Sequence, residues 1–510
     1  NYYITTPIYY PSAKPHMGHA YTSIIADFFA RFKRIDGYDV HFLTGTDEHG
    51  LKIQRAAENK NIDPLKFCDE ISQTFRNLSK TLNLSNTDFI RTTEERHKKT
   101  VQHLWTQLEK NNDIYLSKYS GWYSVSDEAF YNENEIIEKN GIKIATDSGS
   151  PVEWIEEESY FFRLSKWQDS LLEYYEKNPN FIAPKSRKNE VVSFVKSGLK
   201  DLSISRKTFS WGIDVPNNPD HVIYVWLDAL TNYISALNYP NIKDDLYKNF
   251  WPASVHLIGK DILRFHAVYW PAFLMAAEIP LPKKIYGHGW ILSGDEKMSK
   301  SKGNILDPLD IIETYGLDPL RYYLIKEVSF GNDGNISQNR LEDCINSDLA
   351  NNFGNLCQRV TAFAEKNCSL KIPITDKFNN EDLIMLNRFT DNLQTLRDEI
   401  DNQNINFYIN FIMSSLFEAN KYFNDQEPWK KKDDITRLNT IVYTSLEMIR
   451  KICFMLYPII PDSINKALNI FDLKTEDITF ESIGIHNYLK PGNKINKIKI
   501  LFKKIEKKND

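Results

Sequence analysis

Apolar positions along the chain follow two periods, and the change from one to the other predicts its elements. Asn1-Tyr2-Tyr3-Ile4-Thr5-Thr6 reads as a strand, and Ala20, Ile24, Ile25, Phe28, Phe29 and Phe32 recur on one face of a helix, with Asp27, Arg31, Lys33 and Arg34 elsewhere on the wheel. Val40–Thr44 is an apolar strand running into the polar Gly45-Thr46-Asp47. The same grammar returns at Val255–Ile258 before Gly259-Lys260-Asp261, and at Ile285 before Gly287-His288-Gly289. Strand, polar loop and helix in repetition predict a parallel α/β sheet of Rossmann type, with ligands beyond the carboxyl ends of its strands. Val222–Val225 reads as a further apolar strand ended by Trp226. Past Asp348 the period is helical, with Leu349, Phe353, Leu356, Val360 and Phe363 spaced four, three, four and three. The stretch between the two α/β halves is rich in aromatic and acidic residues, among them Tyr115, Tyr119, Trp122, Trp154 and Glu156-Glu157-Glu158.

At 510 residues the chain is long enough for several domains. A net charge of −5 disfavours a nonspecific polyanion binder, although local basic faces can still meet nucleic acid. The longest apolar stretch, near His266–Pro282, is interrupted by Pro271, Glu278 and Pro280, so no membrane span is expected. No secretory signal precedes the first strand, and a cytoplasmic location is expected. Five scattered cysteines, Cys68, Cys344, Cys357, Cys368 and Cys453, lack CxxC spacing. They argue against a disulfide framework and against a zinc site.

Two motifs carry chemistry. His16-Met17-Gly18-His19 opens the first helix just after Pro15. A helix start attracts phosphate, Gly18 clears the approach, and the histidines can donate hydrogen bonds. Lys297-Met298-Ser299-Lys300-Ser301 lies in a predicted loop between Gly294 and Gly303. Two ammonium groups on such a loop suit the negative charge that develops on a leaving pyrophosphate. Alone, each motif has a bland reading as a surface helix start or a solvated basic loop. In this order, each after a strand, they point together to an ATP site without a glycine-rich P-loop.

These motifs resemble the HIGH and KMSKS signatures of class I aminoacyl-tRNA synthetases. The resemblance narrows to the methionyl-tRNA synthetase family through Thr5–Tyr10, Gly45–Gly50, Tyr224–Ala229 and Gly259–Ile262 with Phe265-His266, and it extends over essentially the whole chain. It implies activation of L-methionine by ATP with Mg²⁺ to methionyl-adenylate, then transfer to the 3′ end of tRNA(Met). The implied architecture is a Rossmann catalytic domain in two halves, 1–112 and 201–290, split by a connective insertion, 113–200. A KMSKS and stem-contact region at 291–347, an all-α anticodon-binding bundle at 348–489 and a basic C-terminal segment at 490–510 follow. No cysteine lies between Cys68 and Cys344, so the family's thiolate zinc knuckles have no ligands in this insertion, and no zinc is expected. The insertion is also too short for the editing domain of the isoleucine, valine and leucine enzymes. No appended dimerisation domain follows, so a monomer is expected.

The resemblance also implies site residues. His16, Gly18, His19, Gly259, Asp261, Lys297 and Lys300 would bind ATP, with His16, His19, Lys297, Lys300 and Arg206 catalytic. Pro7, Ile8, Tyr10, Asp47, Trp226, Ala229, Leu230, Tyr233, Ile262 and His266 would hold methionine. Asp47 pairs with its ammonium group, while Tyr10 and His266 turn O–H or N–H groups toward the sulfur. Pro7 and Leu230 depart from other members of the family, as Lys503 and Lys504 do in the C-terminal segment. Asn355, Arg359 and Trp429 would read the anticodon, by base edges and by stacking. The alternatives are another class I synthetase, such as the cysteine enzyme, or an HxGH nucleotidyltransferase, which needs no helical anticodon domain.

Overall fold

The computed structural model describes residues 1–11, 14–294, 296–297, 306–375, 377–485 and 488–506. They divide into two compact units: residues 1–26 with 40–288, and residues 27–39 with 289–510.

In the first unit, among the described residues, six parallel strands make the central sheet. They are β1 (Tyr2–Thr5), β2 (Val40–Thr46), β3 (Asp88–Arg91), β7 (Ile182–Ala183), β8 (Val255–Gly259) and β9 (Ile285–His288), in the order β3-β2-β1-β8-β9-β7. β1 is buried on both faces, which is why its Tyr-Tyr-Ile-Thr run shows no polar alternation. Its neighbours β2 and β8 take it in register at Ile4↔Phe42 and Ile4↔Val255. β2 and β3 lie on one side of β1 and the later strands β8, β9 and β7 on the other, and such a switch in strand order opens a crevice beyond the carboxyl ends of the strands. The loops after β1, β2 and β8 all reach that edge.

The insertion does not fold apart from this sheet. β4 (Ile114–Ser124) turns into β5 (Ala129–Tyr131), pairs antiparallel with β6 (Glu153–Phe162) from Ile114↔Phe162 to Tyr123↔Glu153, and β6 carries Leu202–Ser203 on its other edge. The chain then supplies β7 to the edge of the central sheet. Phe162, Leu164 and Leu171 accordingly share one apolar core with Tyr3, Leu43 and Ile258. The strand expected to end at Trp226 instead stops at Ile223, and helix α5 (Val225–Leu230) begins there. Trp226 therefore stands in the first turn of a helix.

Helix α1 (Met17–Ile35) buries more than its apolar stripe. Asp27, on the side expected to face water, is fully buried and accepts from Arg31 at 2.8 Å and Arg321 at 2.7 Å. Lys33, also buried, pairs with Asp401 at 2.5 Å. Asp27 and Lys33 are matched by partners from distant sequence, which is the condition on which charges can be buried.

The second unit is mainly helical. A π-helical stretch, Ile345–Gly354, leads into α6 (Asn355–Cys368), and the predicted stripe is met by buried Leu349, Phe353, Leu356 and Val360, with Phe363 half-buried. α7 (Asn380–Asp401), α8 (Ile405–Gln426) and α9 (Ile435–Leu456) follow, and α9 is buried from Thr440 to Leu456. The basic C-terminal segment packs back on this unit. Ile372 and Gly492 are tied by backbone bonds to Asn493 and Ile372, Ile495 is fully buried, and Asn346 exchanges two hydrogen bonds with Ile505.

Candidate active site

The turn between β1 and α1 brings two histidine rings together. The His16 and His19 rings stack at 3.8 Å. Backbone N–H groups fix their tautomers: Gly18 donates to Nδ1 of His16, and His16 donates to Nδ1 of His19, both at 3.0 Å. With Nδ1 accepting, the proton of a neutral ring is left on Nε2. Burial, and then the neighbouring His16, hold the His19 imidazole well below its usual pKa, so it is neutral. The edges of Tyr9 and Phe75 close around His19 at 4.7 and 5.2 Å. A Cβ on Gly18 would lie 2.9 Å from the His16 ring, which explains the glycine.

Beyond β2, Asp47 is buried and its Oδ1 has no hydrogen-bond partner among the described residues. Burial, then Asp228, Glu128 and Glu48, raise its pKa well above the usual carboxylate range. A carboxylate this destabilised is a ready site for a cation. Asp228 is itself anchored between His49 and His97, each at 2.7 Å, and His97 reaches Ser235 at 2.8 Å. Burial pushes the Asp228 carboxyl up, but the two histidines outweigh it and hold it below its ordinary value.

Tyr10 lies within electrostatic reach of this acid. Ile8, Tyr10, Trp226, Ile262 and Phe265 are partly buried and pack on the central core, while Ala229, Leu230, Tyr233 and His266 are buried behind them. Trp226 lies flat on Phe265, with centroids 3.8 Å apart and planes 6° from parallel. His266 is held by the Ile262 carbonyl at Nδ1 (3.0 Å) and by Tyr233 at Nε2 (2.6 Å). Burial lowers its pKa to about 4, so it is neutral, with Nδ1–H donating and Nε2 accepting from Tyr233. Tyr10 in turn donates toward the His49 carbonyl (3.0 Å) and Glu128 (2.5 Å). Tyr10 and His266 thus commit their hydrogens to protein acceptors. Neither therefore has the spare O–H or N–H expected from sequence.

Arg206 is buried in the two-residue strand Ser205–Arg206. Its guanidinium sits 4.5–5.3 Å from the rings of Phe130, Tyr224 and Tyr123. Nη1 donates to Ser203 and to the Ser205 carbonyl, but Nε and Nη2 have no partner among the described residues. Two unused donors on a buried cation suit an anion. Gly259 ends β8, and a Cβ there would stand 2.6 Å from Oδ1 of Asp261, whose carboxylate folds back over it. Lys297 belongs to the short strand Glu296–Lys297, paired with Ile291–Ser293 rather than lying in an open loop. Lys300 lies outside the described residues.

In the helical unit, Arg359 lies over Phe423 at 5.5 Å, and Phe423 meets Trp429 at 6.1 Å. Trp429 is 41% exposed on a 3₁₀ turn, and Asn355 is half-buried at the start of α6, one turn before Arg359.

Comparison with known proteins decides the family. Residues 2–361 match the model for class I tRNA synthetases (M), and residues 372–510 match the anticodon-binding domain of methionyl tRNA ligase. The chain belongs to the methionyl-tRNA synthetase family. The methionine–tRNA ligase of Rickettsia felis is 52% identical over 99% of this chain and 98% of its own length, and that of Brucella suis is 50% identical over 94% of each. Mycobacterium tuberculosis methionyl-tRNA synthetase, solved in complex with methionyl-adenylate, superposes with a TM-score of 0.95 at 44% identity, covering 98% of this chain and 99% of its own. Its free form gives 0.90 at 41% identity, covering 99% and 98%.

Set against this member of the methionyl-tRNA synthetase family, sequence reasoning missed three features of the site. Phe265 stands out in the sequence only as a neighbour of His266, although it forms half of the Trp226 stack. The Asp228 clamp joins His49 to His97 across 131 and 179 residues, a link that no local pattern carries. Glu128 comes from the insertion, where its acidic neighbours gave it no distinction.

Proposed function

We infer that this chain attaches methionine to tRNA, and that the first unit holds the pocket in which methionine is activated. The chain is a methionine–tRNA ligase: it activates methionine with ATP to methionyl-adenylate and pyrophosphate, then transfers the methionyl group to tRNA. The observation that carries the pocket assignment is the pairing of an unpartnered buried carboxylate, Asp47, with the wall of Ile8, Tyr10, Trp226, Ile262 and Phe265. An amino acid with a positive head and an apolar, polarisable side chain matches both. Another class I synthetase and a small-molecule nucleotidyltransferase are not favoured, because both matched family models are of the methionine type.

The chemistry follows from charge. The methionine carboxylate is already a nucleophile, so activation needs position and charge stabilisation rather than a general base. In our reading Asp47 fixes the ammonium, and Pro7, Ala229, Leu230, Tyr233 and His266 shape the rest of the pocket. The two free donors of Arg206 meet the α-phosphate. The Nε2–H groups of His16 and His19 meet the phosphates at the helix start, Gly18 admits them, and Gly259 with Asp261 takes the nucleoside end. Lys297 and Lys300 stabilise the departing pyrophosphate. Mg²⁺ would be carried by the phosphates of ATP, whose charge it offsets.

We further read residues 1–112 and 201–290 as the catalytic halves, 113–200 as the insertion, and 291–347 as the stem-contact region. The bundle at 348–489 reads the anticodon of tRNA(Met) through Asn355, Arg359 and Trp429, and 490–510 braces it. No described helix is long and apolar enough to cross a membrane. The enzyme is read as a cytoplasmic, zinc-free monomer; sedimentation and elemental analysis test the last two points. The decisive experiment is ATP–pyrophosphate exchange with each of the twenty amino acids. Methionine alone should support rapid exchange, and equal exchange with leucine, valine or cysteine would overturn the pocket assignment.

A further inference from the structure

Glu128 lies in the turn between β4 and β5, at the tip of the inserted hairpin, and is 4% exposed. Its backbone is left-handed (φ 48°), a conformation that a non-glycine residue keeps only where its surroundings hold it. Oε1 accepts from the Tyr10 hydroxyl at 2.5 Å, while Oε2 has no hydrogen-bond partner among the described residues. Gly50, facing it, has φ 109°, and a Cβ there would stand 2.3 Å from Oε1, so the loop after β2 has room for this carboxyl only because residue 50 is glycine. A half-satisfied buried carboxyl is a poor structural brace. It has company: Oδ1 of Asp47 is also buried and unpartnered, and Glu128 adds to the negative field at Asp47.

We propose that Glu128 is a positioning residue of the amino-acid pocket: it fixes the Tyr10 hydroxyl and, when ionised, adds a second negative charge beside Asp47 to the field that holds the substrate ammonium. This rests on the assignment of Asp47 to that ammonium. The charged and titratable groups facing Glu128 are Tyr10, Asp47, Lys52, Tyr123, Arg206 and Tyr224. Burial pushes its carboxyl up to about 7, against the opposing pull of the Tyr10 hydrogen bond, the Lys52 backbone N–H and the charges of Lys52 and Arg206. The site therefore gains the Glu128 charge as pH rises through neutrality. Protonation removes that charge and leaves the Tyr10 hydroxyl to its other acceptor, the His49 carbonyl.

The test is methionine-dependent exchange, titrated in methionine between roughly pH 6 and pH 8, for the parent enzyme, Glu128→Gln, Tyr10→Phe and Asp47→Asn. For one group titrating near 7, the KM for methionine in the parent should rise about tenfold as pH falls across that range. Glu128→Gln should hold the high KM at every pH, with kcat and the KM for ATP within about twofold of the parent. Tyr10→Phe should move the inflection to higher pH, because the bond it removes favours the ionised carboxyl. Parent-like KM and slope in Glu128→Gln would overturn the proposal. Should that variant fail to fold, an unshifted inflection in Tyr10→Phe would do the same. Asp47→Asn separates the two ideas: if it weakens methionine binding while Glu128→Gln does not, only the role of Glu128 falls. If it leaves methionine binding unchanged, the ammonium assignment falls with it.

Discussion

Tyr233 donates its hydroxyl hydrogen to Nε2 of His266 across 2.6 Å, in a pair almost wholly withheld from solvent. The bond sets the neutral tautomer of His266, whose other nitrogen holds the carbonyl of Ile262. Two of the positions assigned to the methionine pocket are thus one rigid unit, and a third, Ile262, is tied to it through its backbone.

Tyr233→Phe removes that hydroxyl and leaves Nε2 buried without a donor. Such a loss costs about 1–3 kcal/mol. Methionine KM in pyrophosphate exchange should rise about tenfold, with the KM for ATP unchanged. An unchanged methionine KM would mean that the pair lies outside the pocket.

Asp47→Asn should separate activity from stability. A hydrogen bond to a charged group is worth about 1.5–3 kcal/mol, so methionine KM should rise roughly tenfold to a hundredfold. Stability should move the other way. The carboxyl of Asp47 is raised in the folded protein, so the folded state binds its proton more tightly and loses stability as pH climbs from the unfolded carboxylate range upward. Asparagine removes that penalty. Thermal unfolding near pH 8 should show the variant at least as stable as its parent, and a marked loss of stability would show that Asp47 is a structural acid.

Lys300→Ala should cut the adenylation rate by a hundredfold or more, about 3 kcal/mol, since the lysine is assigned to charge that develops only in the transition state. Methionine KM should hardly change. Single-turnover formation of methionyl-adenylate checks this, and an unaltered rate would remove Lys300 from the mechanism.

Trp429→Ala should spare exchange and weaken tRNA charging by about tenfold to a hundredfold, the worth of roughly 1–3 kcal/mol of base stacking. Trp429 belongs to the helical unit, whereas the residues assigned to the methionine pocket belong to the first. At 41% exposure its loss should lower the melting temperature little. Normal charging, or unfolding together with loss of exchange, would make Trp429 a structural residue.

Much of this protein is written in local pattern. The parallel sheet follows from apolar runs that end in polar loops, because a strand buried on both faces needs apolar residues throughout while the ligand edge needs polar ones. His16, Gly18 and His19 stand out in sequence because four adjacent residues at a helix start carry their chemistry together, whereas Asp47, just past β2, enters only through the family resemblance. Tertiary structure decided what depends on residues far apart in the chain. Asp27 looks solvent-facing on the helical wheel, yet Arg321 comes from 294 residues away to bury it. Trp226 looks like the end of a strand until the ladder of Ser205–Arg206 against Val222-Ile223 runs out and a helix takes over. His266 looks like a donor toward sulfur until Tyr233 and Ile262 occupy both its nitrogens. Glu128 looks like one acid among many in the insertion until the hairpin carries it 118 residues back to Tyr10. Local sequence dictates the period of burial and the residues at strand and helix ends. Which charges are paired, which hydrogens are free and which carboxylates stand alone depend on partners that only the folded chain brings within reach.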